Sequence, residues 1–301
     1  MSRAVLPSPR HAMILCAGVG ERLRPLSEEL PKPLVPVGDR SVLAHIAAHL
    51  NRAGYHSALA NTHWMPEKFE AIISELDLQL TLIHEPEILG QAGGIAGARS
   101  QLMAPVIAWN GDILIDDPPL DELVARVTVS GGVCLAVAPA AASGTVGLDA
   151  AGRMVRVRGQ RHGVEVGAAD YVGLLALGQD GLRELPERGC LFDDFMLPRL
   201  RRGEPVETCL IHSAWQEVGS LDSYWKANEH WLSHHANHDE HSYVHPSASV
   251  AKGVQLISSV VGANARIDGV GSVARSVIWP DCRVTAPLDK GIVTPRVRMQ
   301  R

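Results

Sequence analysis

The sequence predicts a doubly wound, mainly parallel α/β sheet followed by a small second domain of a different, repeat-built β type. Three observations carry this reading. The first half alternates strand-like and helix-like runs, a glycine loop follows directly on the first apolar run, and after residue 243 apolar residues recur about every sixth position.

Taken in order, residues 11–16 form a short apolar run that passes straight into Ala17-Gly18-Val19-Gly20-Glu21-Arg22. Over 41–54, Ser41 as a cap, apolar positions at helical spacing and a terminal Gly54 predict a helix; 57–61 reads as a strand and 66–76 as a second helix. A strand over 80–84, a glycine-rich helix start over 90–97 and a strand over 106–109 ending in Asn110-Gly111-Asp112 continue the rhythm, which is Rossmann-like. Strands are expected over 133–138, 154–157 and 171–177, and helices over 193–202 and 221–232. The polar, His-rich stretch 233–242 then marks the boundary between a domain of residues 1–235 and one of 243–301.

In the second domain Val244, Val250, Val254, Leu256, Val260, Ile267, Val273, Ile278 and Val284 recur with small residues between them. Ala248-Ser249-Val250, the run 261–267 and Ser276-Val277-Ile278-Trp279-Pro280 resemble the hexapeptide repeats of left-handed parallel β-helices. About three coils are expected, serving packing or contacts between copies in a homo-oligomer.

Composition narrows the partners. At 301 residues, 46% hydrophobic and 20% charged, the chain is a folded protein large enough for one sizeable unit and an appendage. Lys and Arg (28) against Asp and Glu (33) leave a charge of −5, so no basic excess exists to grip nucleic acid or an anionic membrane, and small ligands are favoured. The five cysteines are scattered and without a C-x-x-C pair, which points to reduced, buried thiols and to the cytoplasm. No apolar run reaches membrane-spanning length, and residues 1–10 lack the pattern of a signal peptide.

Gly18 and Gly20 behind a strand read as a phosphate cradle, because glycines let several amides converge and let an anion approach closely. A tight structural turn would use the same glycines. A dinucleotide site would want a third glycine where Leu23 stands, so a nucleoside triphosphate fits better. Singly, Arg22 reads as a surface ion pair and Lys32 as a solvated loop charge; their joint spacing behind the loop makes them ligands of one anion. Arg24 is at least as well explained by pairing with a loop carboxylate. Asp112 follows a predicted central strand, at the sheet end where open α/β sheets place their ligands.

The string Leu15 to Leu26 with Pro31-Lys32-Pro33-Leu34-Val35-Pro36-Val37 resembles the signature of the sugar-1-phosphate nucleotidylyltransferases. Leu89-Gly90-Gln91-Ala92-Gly93-Gly94, Asn110-Gly111-Asp112 and the stretch 215–228 fall in that family's order, so the resemblance spans nearly the whole chain. Arg24-Pro25-Leu26, Asn61-Thr62-His63 and the appended repeats look most like mannose-1-phosphate guanylyltransferases and N-acetylmuramate-1-phosphate uridylyltransferases.

The resemblance implies a reaction of NTP with a sugar 1-phosphate, giving NDP-sugar and pyrophosphate, with GTP and UTP as leading nucleotides. It implies that Ala17, Gly18, Gly20, Gly90, Gln91 and Gly93 bind the nucleotide and that Gly111, Arg158 and Gly173 bind the sugar phosphate. Asp112 and Glu217 are the implied Mg²⁺ ligands, and Arg22, Lys32 and Asp112 the implied catalytic groups. The chemistry is coherent. A phosphate oxygen attacking the α-phosphorus of another polyanion needs charge neutralisation and in-line positioning, and a phosphate monoester already ionised near neutral pH needs no general base.

Two departures from the family pattern stand out. Glu217 replaces the usual Asp at the second metal position, and the stretch 154–165, where the family often carries a phosphate-gripping lysine, has none; Arg156, Arg158 and Arg161 are the substitutes. These departures leave open a catalytically silent, nucleotide-sugar-binding regulatory subunit. Acyl transfer by the repeats, with His245 as base, would need more coils. His230, His234, His235, His238 and His241 read as a solvated helix end rather than a metal site, and Trp215, Trp225 and Trp231 as packing at the domain junction.

Overall fold

The computed structural model describes residues 10–140 and 142–300. The chain divides into two compact units. One comprises the chain through Gly18 together with Ile46–Trp215; the other comprises Val19–His45 together with the chain from Gln216 onward.

The first unit is built on one sheet of ten strands among the described residues: β1 (His11–Leu15), β2 (Ser57–Thr62), β3 (Gln79–His84), β4 (Val106–Asn110), β5 (Val133–Pro139), β6 (Val146–Leu148), β7 (Met154–Val157), β8 (Gln160–Arg161), β9 (Gly167–Leu177) and β10 (Glu207–Leu210). The order β3-β2-β1-β4 is parallel throughout, so the chain winds outward from β1 in one direction and returns to its other side with β4. That reversal creates a crevice at the carboxyl ends of β1 and β4.

Beyond β4 the expected parallel rule stops. β9 runs antiparallel to β4, β5 and β6, and only β5 and β10 restore a parallel pair. The reason is local. β9 has eleven residues, and it pairs with β5 along one edge while sharing the other between β6 and β4. Its register shifts between Tyr171 and Leu175, where Gly173 takes a φ of +75°. The core under this sheet includes Met13, Ile95, Ala108, Leu135, Leu175 and Phe195.

The expected helices are present with altered bounds, and two more, Leu120–Ser130 and Gln179–Glu184, lie where the sequence reading placed none. α1 (Val42–Arg52) buries Val42, Leu43, Ile46, Ala47 and Leu50, which share one face at helical spacing. The Ser41 hydroxyl accepts from the Ala44 amide, and Gly54 ends the segment at a φ of +81°. α2 (Pro66–Glu70) is only five residues long and is followed by a short turn over Ile73–Glu75, where one longer helix was expected. α3 (Gly90–Gly97) opens on the glycine-rich segment. The helix expected over 193–202 is a wide turn, Leu191–Met196, running into a regular one, Leu197–Arg201.

In the second unit, the helix over Leu221–His235, here α4, starts from a capping box in which Ser220 and Ser223 satisfy each other's amides. The hairpin of Pro36–Val37 and Arg40–Ser41 packs on it: the Gly38 amide donates to Asn228 Oδ1 at 3.0 Å, and a Cβ on Gly38 would stand 2.1 Å from the Trp231 ring. Thr294 donates to the Glu29 carboxylate, and Trp279 Nε1 donates to the Tyr224 hydroxyl at 2.8 Å. These bonds explain why residues 19–45 belong with the end of the chain rather than with their sequence neighbours.

The C-terminal residues form stacked parallel coils. Tyr243–Val244, Val260–Val261 and Val277–Ile278 make one stack; Ser249–Val250 pairs Arg266–Ile267, which pairs Arg283–Val284; and Val254–Ile257 pairs the end of the strand Arg266–Ala274. The first coils repeat every 17 residues, one short of three hexapeptides, and the last pairing, Val277 with Ile292, shortens to 15. Buried Ser242, Ser259 and Ser276 line one corner, each hydroxyl accepting the next coil's amide, from Ser259, Ser276 and Gly291 respectively. No helix among the described residues is long and apolar enough to cross a membrane. The five cysteines are free thiols, four of them buried.

Candidate functional site

In the first unit the carboxyl ends of β1, β2, β3 and β4 converge. Leu15 stands beside both Asn61 and Asn110 in the sheet, and the Gly111 amide donates to the Leu15 carbonyl at 2.9 Å, so Gly111-Asp112 leaves β4 alongside the loop that leaves β1. Asp112 is half-buried there. Burial, reinforced by the negative charge of Asp112, pushes both the Cys16 thiol and the Tyr171 hydroxyl far up, so both stay protonated beneath the carboxylate.

The predicted nucleotide-loop residues divide by physical cause. Ala17 is buried, whereas a Cβ on Gly18 would meet nothing within 4 Å. Gly18 is therefore not required by internal packing. Gly90, at a φ of +80°, and Gly93 are: a Cβ on them would stand 2.4 Å from the Gly189 carbonyl oxygen and 2.9 Å from Arg188 Cα. Gln91 Nε2 donates to Asn110 Oδ1 at 3.0 Å, which ties the start of α3 to the end of β4. Gly173 likewise makes room for its neighbours, since its Cβ would lie 2.6 Å from Ile113 and 3.0 Å from Asn110 Nδ2.

Among the three candidate arginines, Arg156 and Arg161 both engage the largely buried Glu165, at 3.0 and 3.1 Å. Arg158 differs. It takes a φ of +51°, pairs with the exposed Asp193 at 3.3 Å and lies over the Phe192 ring, which stands edge-on to Tyr171 at 5.3 Å. Through Phe192 and Tyr171, Arg158 shares a neighbourhood with Asp112.

A buried polar relay beneath these loops escaped the sequence reading. Asn61 Oδ1 accepts the Cys16 amide at 2.8 Å, Asn61 Nδ2 donates to Glu85 Oε1 at 2.7 Å, and Glu85 Oε2 accepts the Leu89 amide at 3.1 Å. In the sequence Asn61 stands out only within Asn61-Thr62-His63; the available signal is a polar residue at the buried end of a strand.

In the second unit Gly20 adopts a φ of +74°, and its carbonyl accepts from the buried Ser27 hydroxyl at 2.7 Å. The Cβ atoms of Ser27 and Lys32 lie 3.1 and 3.5 Å from where a Gly20 Cβ would be, so the half-buried Lys32 begins beside the glycine. Arg22 Nη2 donates to Glu217 Oε1 at 2.9 Å, and the Glu217 carboxylate folds over Gly219, whose Cβ would meet it at 2.3 Å. Arg24 pairs with Glu28 at 3.6 Å. The histidines on α4 serve its end: His234 and His235 bond the carbonyls of His230 and Trp231, and the His235 ring stacks on Trp231 at 4.5 Å.

Residues 11–157 match the family model described as nucleotidyl transferase. Among curated relatives, the chain is 28% identical over 229 residues to a probable mannose-1-phosphate guanylyltransferase 2 of Arabidopsis thaliana, covering 71% of this chain and 62% of that protein. It is 26% identical over 312 residues to the mannose-1-phosphate guanylyltransferase of Mycobacterium tuberculosis, covering 91% and 81%. Similar solved structures include HddC from Yersinia pseudotuberculosis, with a TM-score of 0.61 at 19% identity over 74% of this chain and 99% of that one. The UTP-bound UGPase from Acinetobacter baumannii has a TM-score of 0.61 at 20% identity over 76% and 95%.

Proposed function

The chain belongs to the sugar-1-phosphate nucleotidylyltransferase family, and from that premise we propose that it transfers a nucleoside monophosphate from an NTP to a sugar 1-phosphate, releasing pyrophosphate. A mannose-1-phosphate guanylyltransferase is the leading form and a uridylyltransferase the next. The observation that carries this is the junction of β1 and β4, where Asp112 emerges beside a loop whose Gly18 stands open to a ligand.

In this reading the amides of residues 17–20 and Arg22 hold the triphosphate, and Lys32, seated against Gly20, places its ammonium where charge builds up on the phosphates. Gly90, Gln91 and Gly93 face the nucleotide through main-chain groups held rigid by the 187–189 segment. Arg158, with Gly111 and Gly173, takes the sugar phosphate; its guanidinium is braced on Phe192 and would exchange Asp193 for phosphate.

The donors suit Mg²⁺. Asp112 offers hard carboxylate oxygens, and Mg²⁺ is commonly held by one or two carboxylates together with substrate phosphates. No group of three or more His, Cys, Asp or Glu side chains among the described residues forms a closed cage that would favour another metal. When bound, Mg²⁺ would neutralise charge on the phosphate oxygens. Glu217 is the second carboxylate assigned to this role, after release from Arg22. We further assign the coils a left-handed sense and a role in contacts between copies, and the protein, with its buried thiols, to the cytoplasm.

Purified protein with Mg²⁺, GTP or UTP and a panel of sugar 1-phosphates should release pyrophosphate. Lys32→Ala and Asp112→Asn should lower the rate by about 10² to 10⁴ with the circular dichroism spectrum intact. A complete matrix of pairs without pyrophosphate overturns the proposal. It would favour the second reading, a silent nucleotide-sugar sensor, which draws on the engagement of Glu217 by Arg22.

A further inference from the structure

We propose that Asn61 and Glu85 are a positioning pair that sets the glycine loop after β1 and the loop opening α3 as one piece, so that a nucleotide meets both in a fixed relation; this rests on the nucleotidyl-transfer reading above. Both side chains are buried, at 3% and 4% exposure, and they connect two segments more than seventy positions apart in sequence, Cys16 and Leu89.

The hydrogen bonds converge on the Glu85 carboxylate from both loops. Asn61 accepts from the Cys16 amide and donates to one Glu85 oxygen, and the other Glu85 oxygen accepts the Leu89 amide, immediately ahead of Gly90. His63 Nδ1 donates to the Glu85 carbonyl at 2.8 Å and fixes the turn from which the carboxylate projects. α3 sits directly on the pair: a Cβ on Gly94 would come within 2.6 Å of Asn61 Nδ2 and 3.0 Å of Glu85 Oε1.

Packing alone does not account for this. A buried carboxylate and a buried amide are costly unless fully bonded, and an apolar pair of similar volume would fill the space without that cost. What an apolar pair cannot do is hold two loop amides at set positions. Each loop leaves its strand or turn where the regular ladder has ended, and the side-chain relay continues the bonding where main-chain partners are no longer in place. Neither Asn61 nor Glu85 is thereby placed in contact with substrate.

The direction of the relay supplies the test. In Glu85→Gln the single amide oxygen can serve Asn61 or Leu89 but not both, and in Asn61→Asp two carboxylates face each other. The exchange N61D/E85Q keeps charge and composition and restores every bond with the middle one reversed. Amide hydrogen exchange and GTP and UTP affinity are measured on all four proteins. In each single variant the Cys16 and Leu89 amides should exchange faster together, with nucleotide affinity down about tenfold. KM for the sugar 1-phosphate should stay unchanged, and the double exchange should recover wild-type values on every readout.

A Glu85→Gln effect confined to Leu89, or a double exchange that is unfolded or no better than the weaker single variant, overturns the proposal. If a single variant fails to fold, the double exchange decides alone. Coupled amide exchange in a protein that releases no pyrophosphate would sink the transferase reading and leave the coupling of the loops standing.

Discussion

Arg22 Nη2 donates to Glu217 Oε1 across 2.9 Å, joining the first cation after the glycine loop to the carboxylate just ahead of the capping box of α4. Both side chains are well exposed, at 72% and 42%, and a pair of that kind contributes about 0–1 kcal/mol to stability. It is weak enough to open when a polyphosphate competes for Arg22.

Glu217→Asp shortens the carboxylate by one methylene, moves it away from Arg22 and supplies the residue that the family resemblance implies at a second metal position. The Mg²⁺ concentration needed for half-maximal pyrophosphate release should fall several-fold, with stability within about 0.5 kcal/mol of wild type. A Mg²⁺ titration superimposable on that of the wild type would contradict this.

Gly18→Ala separates ligand approach from folding. The added methyl meets no protein atom within 4 Å, so the unfolding midpoint should not move. Nucleotide affinity, read by titration calorimetry, should drop about tenfold, because the methyl occupies the space the phosphates need. Unaltered affinity would remove Gly18 from the binding loop.

Gly38→Ala should do the reverse. The position has a φ of +65°, and the methyl would sit 2.1 Å from the Trp231 ring, so the variant should lose about 3 kcal/mol or more of stability in denaturant titrations. A loss under about 1 kcal/mol would mean that the hairpin moves off α4 at little cost.

His45 makes stability fall in mild acid. Burial holds its pKa below the ordinary 6.5, opposed by its bond to the Val37 carbonyl and by Asp39, and aided by Arg40 and His235. The unfolded chain therefore binds a proton that the native imidazole refuses: stability is fullest above the unfolded value and declines as pH drops below it toward the depressed native one. Melting temperatures from pH 8 to 5 should decline less steeply in His45→Gln; identical slopes would refute the assignment.

Much of this was legible in the chain itself. Local periodicity marks β1, α1, β2, β3 and β4, because a strand's alternation and a helix's spacing are written within ten or so residues. Gly18, Gly20 and Lys32 could be proposed as an anion site for the same reason, since their spacing lies within one short stretch. The coil repeat could be seen, though counted at six per side. The 17-residue period appeared only when Ser242, Ser259 and Ser276 stacked.

Sequence alone thus determined the strand and helix alternation through β4, the sheet end that carries Asp112 and the family chemistry, all of which depend on short-range pattern, but not the helices Leu120–Ser130 and Gln179–Glu184. Tertiary structure decided that β9 turns antiparallel, that residues 19–45 pack with α4 and the coils, that Glu217 meets Arg22, and that Asn61 and Glu85 join two loops. Periodicity carries no record of such pairings. They arise where burial leaves polar groups and glycines to find partners tens or hundreds of residues away, and only the folded chain brings those partners within reach.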